Sequence, residues 1–219
     1  MKEVTEQHAW AESTLSQWVD ALPIKSEALR QQRLQHVTAF SGLPWPNRQD
    51  EAWRYCRLPQ LMKTPFVLDL DPLELELSLQ LSEAFIDIVF VNGVLQHELG
   101  SARDLPEGVE LIELMQLSSQ WNDHTSAELR DDKIVHLNQA LATPGVELVV
   151  RQGVQVAKPI RLLHFYSGRD VPTMLHTQHR VSLEHQATAS LVQRFCSLDQ
   201  YEILVTDVTE VTLNEGAIL

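Results

Sequence analysis

Apolar residues recur at helical spacing over residues 4–40 of the chain. Because Pro23 cannot continue a helix, we expect one helix to end there and a second to begin at Ser26, whose hydroxyl can cap the turn at Leu29. Ser41-Gly42 and the prolines after it should end the second helix. The predicted apolar stripes are Val4, His8, Leu15, Trp18, Val19 and Leu22 in the first helix, and Ala28, Leu29, Leu34, Val37 and Phe40 in the second.

The pattern over residues 61–144 mixes strands with one helix. Leu alternates with acidic residues over 66–82, which predicts a strand with a solvated acidic face, although Leu and Glu favour a helix as readily. Phe85–Val91 is a clearer strand, and the Asn92-Gly93 pair directly after it predicts a hairpin. A short strand is expected over Val109–Leu114. Residues 123–142 predict a helix that is capped by Asp123 or Thr125, buries Ile134, Leu137, Ala140 and Leu141, and ends at Pro144-Gly145.

From Val146 onward the pattern predicts strands alone. Alternating apolar residues start at Val146, Val181 and Val211, and a period of about 30 to 35 residues is typical of solenoids. Terminal repeats of a solenoid need a polar cap, and none follows the last repeat, so we expect a fragment of a longer protein. The predicted fold class is α+β, with a helical region over 1–60, a mixed region over 61–144 and incomplete stacked strands over 145–219. The residues expected to point inward include Val181, Leu183, Val211 and Leu213.

Charge narrows the range of partners. The formal net charge is −13, and residues 61–120 carry eleven acidic residues against Lys63 and Arg103 alone. Binding to a nucleic-acid backbone needs clustered Lys and Arg, so we expect no nucleic acid among the partners. The acidic segment is either a solvated surface or an acidic docking face.

No signal peptide or apolar run long enough for a membrane span is visible, and the cytoplasm is the expected compartment.

The motifs of nucleotide and metal chemistry are absent from the sequence. It contains no G-x-x-x-x-G-K-S/T phosphate loop and no G-x-G-x-x-G dinucleotide fingerprint. Its two cysteines, Cys56 and Cys196, cannot form a disulfide framework or a thiolate cluster. We therefore expect a chain that is not an enzyme, has no ATPase activity, and has no catalytic, cofactor-binding or tightly bound metal site of its own.

His176, His179 and His185 are the densest set of possible metal ligands. On a strand, His179 and His185 would share the inward face, whereas His176 would lie before the strand, so no spacing makes the three converge. Buried histidines of structural role are the favoured interpretation.

The segment that follows the predicted helices is rich in aromatic and charged residues. Cys56, flanked by arginines, is either an activated thiol or, as favoured here, a small half-buried residue, and Cys196 is interpreted in the same way. We expect Trp53 and Tyr55 to pack between the helices and the strand at Phe85–Val91. The segment also contains Trp45, a third member of this aromatic group, and Glu51, Arg54 and Arg57, which could form a surface ion network.

Six phrases in order resemble the SufB/SufD family of the SUF iron–sulfur cluster assembly system. They lie at residues 42–55, at Phe90-Val91-Asn92-Gly93 with 105–109 downstream, at 137–145, at 153–160, at 179–181 and at 209–217. Trp45 and Cys56 stand where a Thr is usual in the family, and residues 1–40 match only as a helical region. The resemblance implies that the stacked strands are the opening turns of a right-handed parallel β-helix, here truncated.

The resemblance also implies a function. The chain would be part of a non-catalytic scaffold that acts with SufB and the ATPase SufC, through contacts that lie mainly beyond Leu219. Two alternatives remain at this point: a carbohydrate-active β-helix enzyme, or a generic interaction module. An enzyme site would draw on Glu184, Arg194, Asp207 and Glu210.

The last predicted strand, at about 203–219, has no strand predicted beyond it in this sequence. We expect its unpaired edge to pair with another copy of the chain.

Overall fold

The structure, a computed structural model, describes residues 9–24, 26–56, 58–69, 81–114 and 132–219. Helices α1 (Ala9–Ala21) and α2 (Glu27–Gly42) confirm the predicted helical pair. The Ser26 hydroxyl accepts a hydrogen bond from the Leu29 N–H at 3.3 Å, as the sequence predicts. Leu15, Val19 and Phe40 are buried on the facing sides of the two helices. Val4 and His8 lie outside the described residues.

Three short helical elements follow in the described part of the chain. They are a 3₁₀ turn at Glu51–Trp53, α3 (Leu58–Lys63) and α4 (Lys133–Leu141). Asp132 caps α4, because its Oδ1 accepts hydrogen bonds from the N–H groups of Ile134 and Val135. The alternative caps, Asp123 and Thr125, and most of the Leu–acid alternation lie outside the described residues. α4 buries Leu137, Ala140 and Leu141 as predicted, whereas Ile134 is half-buried.

The described residues form nine strands that lie in two sheets. They are β1 (Val67–Leu68), β2 (Ile86–Val91), β3 (Val94–Gly100), β4 (Val109–Glu113), β5 (Thr143–Val150), β6 (Ile160–Tyr166), β7 (Thr173–Leu183), β8 (Leu191–Ser197) and β9 (Ile203–Leu213). The first sheet has the order β1-β7-β5-β4, with β9 on the free side of β7, and the second has the order β3-β2-β6-β8. β5, β7 and β9 are parallel to one another, as are β2, β6 and β8.

The predicted hairpin forms between β2 and β3. Asn92 and Gly93 both have positive φ, at 45° and 80°, which is the backbone that a tight two-residue hairpin turn requires. Its antiparallel register pairs Val91 with Val94. The strand predicted at 109–114 is confirmed as β4, which pairs antiparallel with β5.

The repeat of about 30 to 35 residues is confirmed in the register of the parallel strands. Leu183 pairs with Val150 on one side and with Leu213 on the other, and each of these residues ends its strand. A turn follows each strand and leads to the bridged positions 155, 188 and 218, which are 33 and 30 residues apart. No helix interrupts residues 146–156 or 181–191. The apolar alternation that starts at Val181 is not one strand, however, because β7 begins before it, at Thr173, and ends at Leu183.

Val211 and Leu213 face the predicted side of the sheet but are not buried. They pair in register with Val181 and Leu183, so they lie on the same face of the sheet. Yet Val211 and Leu213 are 44% and 48% exposed, whereas Val181 and Leu183 are each 1% exposed. The reason is that β9 pairs only with β7 among the described strands, so nothing in the described part of the chain covers its far side.

Two apolar cores hold these elements. One lies between the two sheets and contains Ile88, Phe90, Leu148, Leu162 and Val181. The other joins the helices to β7 through side chains such as Phe40, Leu137 and Met174. Strands from before and after residue 145 share both sheets, and the division of the chain near that residue stays a prediction. Among the described helices, none is long and apolar enough to cross a membrane.

Candidate functional site

The three histidines singled out in the sequence do not come together. Successive side chains of a strand point to opposite faces, so His176 and His179, three residues apart on β7, face opposite ways. His185 lies in the turn after β7 and is exposed, so the prediction that it points inward is wrong. The prediction that His176 precedes the strand is also wrong, because β7 already begins at Thr173.

His179 instead meets two residues that no sequence motif connects to it. Potential ligand atoms of His164 on β6, His179 on β7 and Asp207 on β9 all lie within 4.8 Å of one another. His179 Nε2 is 3.6 Å from Asp207 Oδ2. Both histidines are almost fully buried, at 0% and 1% exposure. The stacking of parallel strands thus builds a polar cluster inside an otherwise apolar interior.

An aromatic column fixes the ring of His164. It stacks between Phe90 and Phe195, with a ring-centroid distance of 4.8 Å to each. The three residues pair in register on β2, β6 and β8, which places their side chains one above another. Neither ring nitrogen of His164 has a hydrogen-bond partner among the described residues. Burial, helped by the nearby His179, lowers the pKa of His164 to about 4, so this imidazole is neutral at physiological pH.

Asp207 is held by neutral donors. Its carboxylate accepts hydrogen bonds from Thr177 Oγ1 at 2.6 Å, Thr209 Oγ1 at 3.0 Å and Gln193 Nε2 at 3.2 Å. No Lys or Arg pairs with it in the described part of the chain. By contrast, the buried carboxylates of Asp87 and Asp69 pair with Arg161 at 2.6 Å and with Arg169 at 3.0 Å respectively.

His179 connects the cluster to the backbone. Its Nδ1 accepts a 3.4 Å contact from the Val146 N–H, which favours the neutral tautomer with the proton on Nε2, facing Asp207. Burial lowers the pKa of His179, and the Asp207 carboxylate partly opposes that shift.

A cleft of about 590 Å³ reaches Asp207 from the open end of the stacked strands, where β8 and β9 have no further strand beside them among the described residues. Its lining includes Tyr166, Gln193 and Phe195.

His176 occupies a separate environment on the other face of β7. Its Nδ1 lies 2.7 Å from Thr206 Oγ1. Burial, with a smaller contribution from the Arg33 guanidinium, lowers the pKa of His176 to about 3. The location between the sheet and the helices supports the structural interpretation made from the sequence.

The aromatic and cysteine predictions need correction. Tyr55 is 91% exposed, so it does not pack between the helices and β2, and Trp53 is only half-buried and belongs to neither core. Trp45 instead packs on the helices, edge-on against Phe40 with a ring-centroid distance of 5.7 Å. The reason is local: Glu51–Trp53 form a short 3₁₀ turn, and every residue of 51–56 except Trp53 is exposed, so this segment does not pack on the core.

The remaining candidates in that segment are exposed or outside the described part. Cys56 is exposed rather than half-buried, whereas Cys196 is half-buried as predicted. Glu51 and Arg54 are both exposed, and no ion pair joins them in the described part of the chain. Arg57 lies outside the described residues.

The four residues considered for a carbohydrate-active site are dispersed. Glu184 lies in the turn after β7 and pairs with Arg151 at 2.7 Å. Glu210 pairs with Arg180 at 3.6 Å and lies three residues from Asp207, hence on the opposite face of β9. Arg194 lies on β8 and is exposed. This arrangement does not favour the enzyme alternative.

Comparison with known proteins agrees with the resemblance seen in the sequence. Residues 20–162 match the family model described as "SufBD protein N-terminal region". The chain is 26% identical to the iron-sulfur cluster assembly protein SufD of Escherichia coli K12 over 193 residues, which cover 85% of this chain and 44% of that protein. It is 23% identical over 196 residues to the iron-sulfur cluster assembly SufBD family protein slr0076 of Synechocystis, covering 81% of this chain and 43% of the relative.

The chain therefore spans less than half the length of these two relatives. The family match begins within α1 and continues into β6, so it covers both the helical region and the first parallel strands. Because that match includes well over half of the chain, the protein belongs to the SufBD family and contains its N-terminal region.

Proposed function

We propose that this chain is the N-terminal part of a SufD-like scaffold subunit for iron–sulfur cluster assembly. The observation that carries the proposal is the family match over residues 20–162. The two curated relatives, both named as iron–sulfur cluster assembly proteins, support it. The protein would act in the cytoplasm as a structural member of the assembly machinery.

The stacked strands, on this proposal, are the opening turns of a right-handed parallel β-helix. Three features support the assignment: two faces of parallel strands, a bridge at the same place in each repeat, and a spacing of 33 and 30 residues between bridges. Stacked repeats of this kind bury their inner faces against their neighbours rather than alone. A scaffold gains from this architecture a rigid platform on which partners can be held at fixed separation.

The proposed partners are SufB and the ATPase SufC. The chain has no phosphate loop of its own, so ATP hydrolysis would be the partner's activity rather than this subunit's. The exposed apolar side chains at the open end of the strands, such as Val211 and Leu213, leave area for protein contacts. No nucleic acid or membrane is among the proposed partners.

The test is co-purification. The affinity-tagged protein, expressed with any sequence that follows Leu219 in its gene because the proposed contacts lie mainly beyond that residue, would be produced together with the SufB and SufC proteins of the same organism. The complex would be isolated through the tag and measured by size-exclusion chromatography with light scattering. A complex of defined mass that contains at least one of the two partners is expected, with an unrelated acidic protein carrying the same tag as control. The proposed partnership would be contradicted if the tagged protein is shown to be folded and neither SufB nor SufC is recovered with it at micromolar concentration.

A further inference from the structure

We propose that His164, His179 and Asp207 bind one divalent first-row transition-metal ion, such as Zn²⁺ or Co²⁺, inside the stacked strands. Two imidazoles and one carboxylate supply three ligands of the type that these ions take in proteins. The three side chains come from β6, β7 and β9, and their ligand atoms lie within 4.8 Å of one another. The sequence-based expectation of a metal-free chain rested on the lack of clustered cysteines and on a different trio of histidines, which the fold keeps apart.

The unsatisfied ring of His164 supports this site. A neutral imidazole has one N–H that donates a hydrogen bond and one nitrogen lone pair that accepts one. Neither nitrogen of this buried ring has a hydrogen-bond partner among the described residues. Buried polar groups without partners are rare because each one costs the hydration it has lost. Stacking between Phe90 and Phe195 fixes the plane of the ring but supplies no hydrogen bond. A metal ion would occupy the lone pair, and the remaining N–H alone would still need a partner.

The charge of Asp207 also supports this site. Its side chain is 12% exposed, and a carboxylate so far removed from water is normally paired with a cation or neutralised. Asp87 and Asp69 follow that rule through Arg161 and Arg169, whereas no Lys or Arg pairs with Asp207 in the described part of the chain. A bound divalent ion would provide the missing positive charge.

The geometry requires a small contraction. Ligands about 2.1 Å from a tetrahedral ion lie roughly 3.4 Å from one another. The 3.6 Å between His179 Nε2 and Asp207 Oδ2 is already near that value, so the remaining shift falls mainly on the distance to His164. Binding at Nε2 would move the His179 proton to Nδ1 and would sacrifice the 3.4 Å contact from the Val146 N–H, the longest hydrogen bond of the cluster.

Access and selectivity follow from the surroundings. The cleft that Asp207 lines offers an entry path, and a fourth ligand, a water or a partner's side chain, could approach through it. Ions such as Mg²⁺ and Ca²⁺ prefer oxygen ligands, so a site with two imidazoles disfavours them.

The test is a titration of the purified 219-residue chain, with any affinity tag removed, by Co²⁺. We expect visible absorption bands of a low-symmetry Co²⁺ complex that saturate at one ion per chain and disappear when Zn²⁺ displaces the cobalt. His164→Phe should weaken binding at least about tenfold while preserving the aromatic column between Phe90 and Phe195. Asp207→Asn should do the same and keep most of the hydrogen bonds to its neighbours.

His185→Ala is the matched control, since it removes an exposed histidine that lies six residues after His179 and outside the cluster. It should bind Co²⁺ as tightly as the unaltered chain. The proposal is overturned if the unaltered chain shows no saturable binding, or if His164→Phe or Asp207→Asn, shown by circular dichroism to be folded, binds with unchanged affinity. Titration of the unaltered chain tests whether saturable binding exists at all. The two variants then test where the ion binds, and if one of them fails to fold, the other can still refute the proposed site.

Discussion

Trp45 and Trp53 lie in the same segment but make different contacts. Trp45 packs on Phe40, and the Lys133 ammonium lies over both rings, 5.1 Å from the Trp45 centroid and 4.2 Å from that of Phe40. The same ammonium donates a hydrogen bond to the Leu43 carbonyl at 2.9 Å. Trp45 and Lys133 therefore join the end of α2 to the start of α4, a role that Trp53 does not share.

Replacement of the two tryptophans should separate these environments. We expect Trp45→Ala to lower the free energy of unfolding by about 2 to 4 kcal/mol, because it removes a large side chain from a packed cluster and exposes a buried lysine. Trp53→Ala, at a half-buried position outside both cores, should cost about 1 kcal/mol or less. Urea denaturation of both variants measures the difference. Equal losses, or a larger loss for Trp53→Ala, would contradict the assignment.

His176 makes the stability of the protein depend on pH. Its pKa falls from 6.5 to about 3 in the folded chain, because burial disfavours the charged ring and Arg33 adds a like charge. The unfolded chain therefore binds the proton first as the pH falls. The contribution of His176 is complete above pH 6.5 and is lost progressively between pH 6.5 and 3, by an amount on the order of 5 kcal/mol.

The measurement is urea denaturation of the unaltered chain and of His176→Asn at several pH values between 7 and 4. An asparagine can keep a hydrogen bond to Thr206 but has no charge to gain. The variant should lose less stability than the unaltered chain over this range. Parallel curves for the two proteins would show that His176 does not contribute to the pH dependence.

At the scale of elements, close contact between β5 and β7 depends on Gly145. A Cβ added at that position would lie 2.5 Å from the Gln178 carbonyl oxygen and 2.5 Å from Cε1 of His179, much closer than carbon atoms normally approach. This contact accompanies the register shift between Pro144 and Glu147, where β5 adjusts its pairing with β7. The glycine thus lets the strand pass over the histidine ring.

Gly145→Ala should destabilise the chain by about 1 to 3 kcal/mol, as overpacking does in a close-packed interior. Gly42→Ala is the matched control, because no atom lies within 4 Å of an added Cβ at the end of α2. That change should be neutral or slightly stabilising. Thermal unfolding followed by circular dichroism measures both. A Gly145→Ala variant as stable as Gly42→Ala would show that the strands can separate at low cost.

Local patterns predicted the elements whose signals are short-range. The Ser26 cap, the end of α1 before Pro23 and the Asn92-Gly93 hairpin depend only on residues within a few positions, and all are confirmed. The repeat was visible because inward-facing residues alternate in each of its strands. His164 and Asp207 were missed as partners, because they are 43 residues apart and meet only through the register of β6, β7 and β9. Nothing local to either residue encodes that register.

At the scale of the whole molecule, apolar side chains concentrate at the open end of the stacked strands. Val211, Leu213 and Ile218 are 44%, 48% and 63% exposed. β8 and β9 each pair on one side only among the described strands, so their other sides present free N–H and C=O groups. An edge that combines unpaired backbone with exposed apolar side chains readily pairs with another chain. The formal net charge of −13 opposes such contact only over long distances at low salt.

We therefore predict that a purified chain of these 219 residues self-associates through residues 203–219. Size-exclusion chromatography with light scattering should show a mass that rises with concentration, and more steeply at higher salt, where the repulsion between acidic chains is screened. Val211→Lys combined with Leu213→Lys should abolish the association, because it places charge on the exposed apolar face. Thr212→Lys is the control on the opposite face of the same strand and should weaken association less. A monomer at all concentrations and both salt levels would refute the prediction.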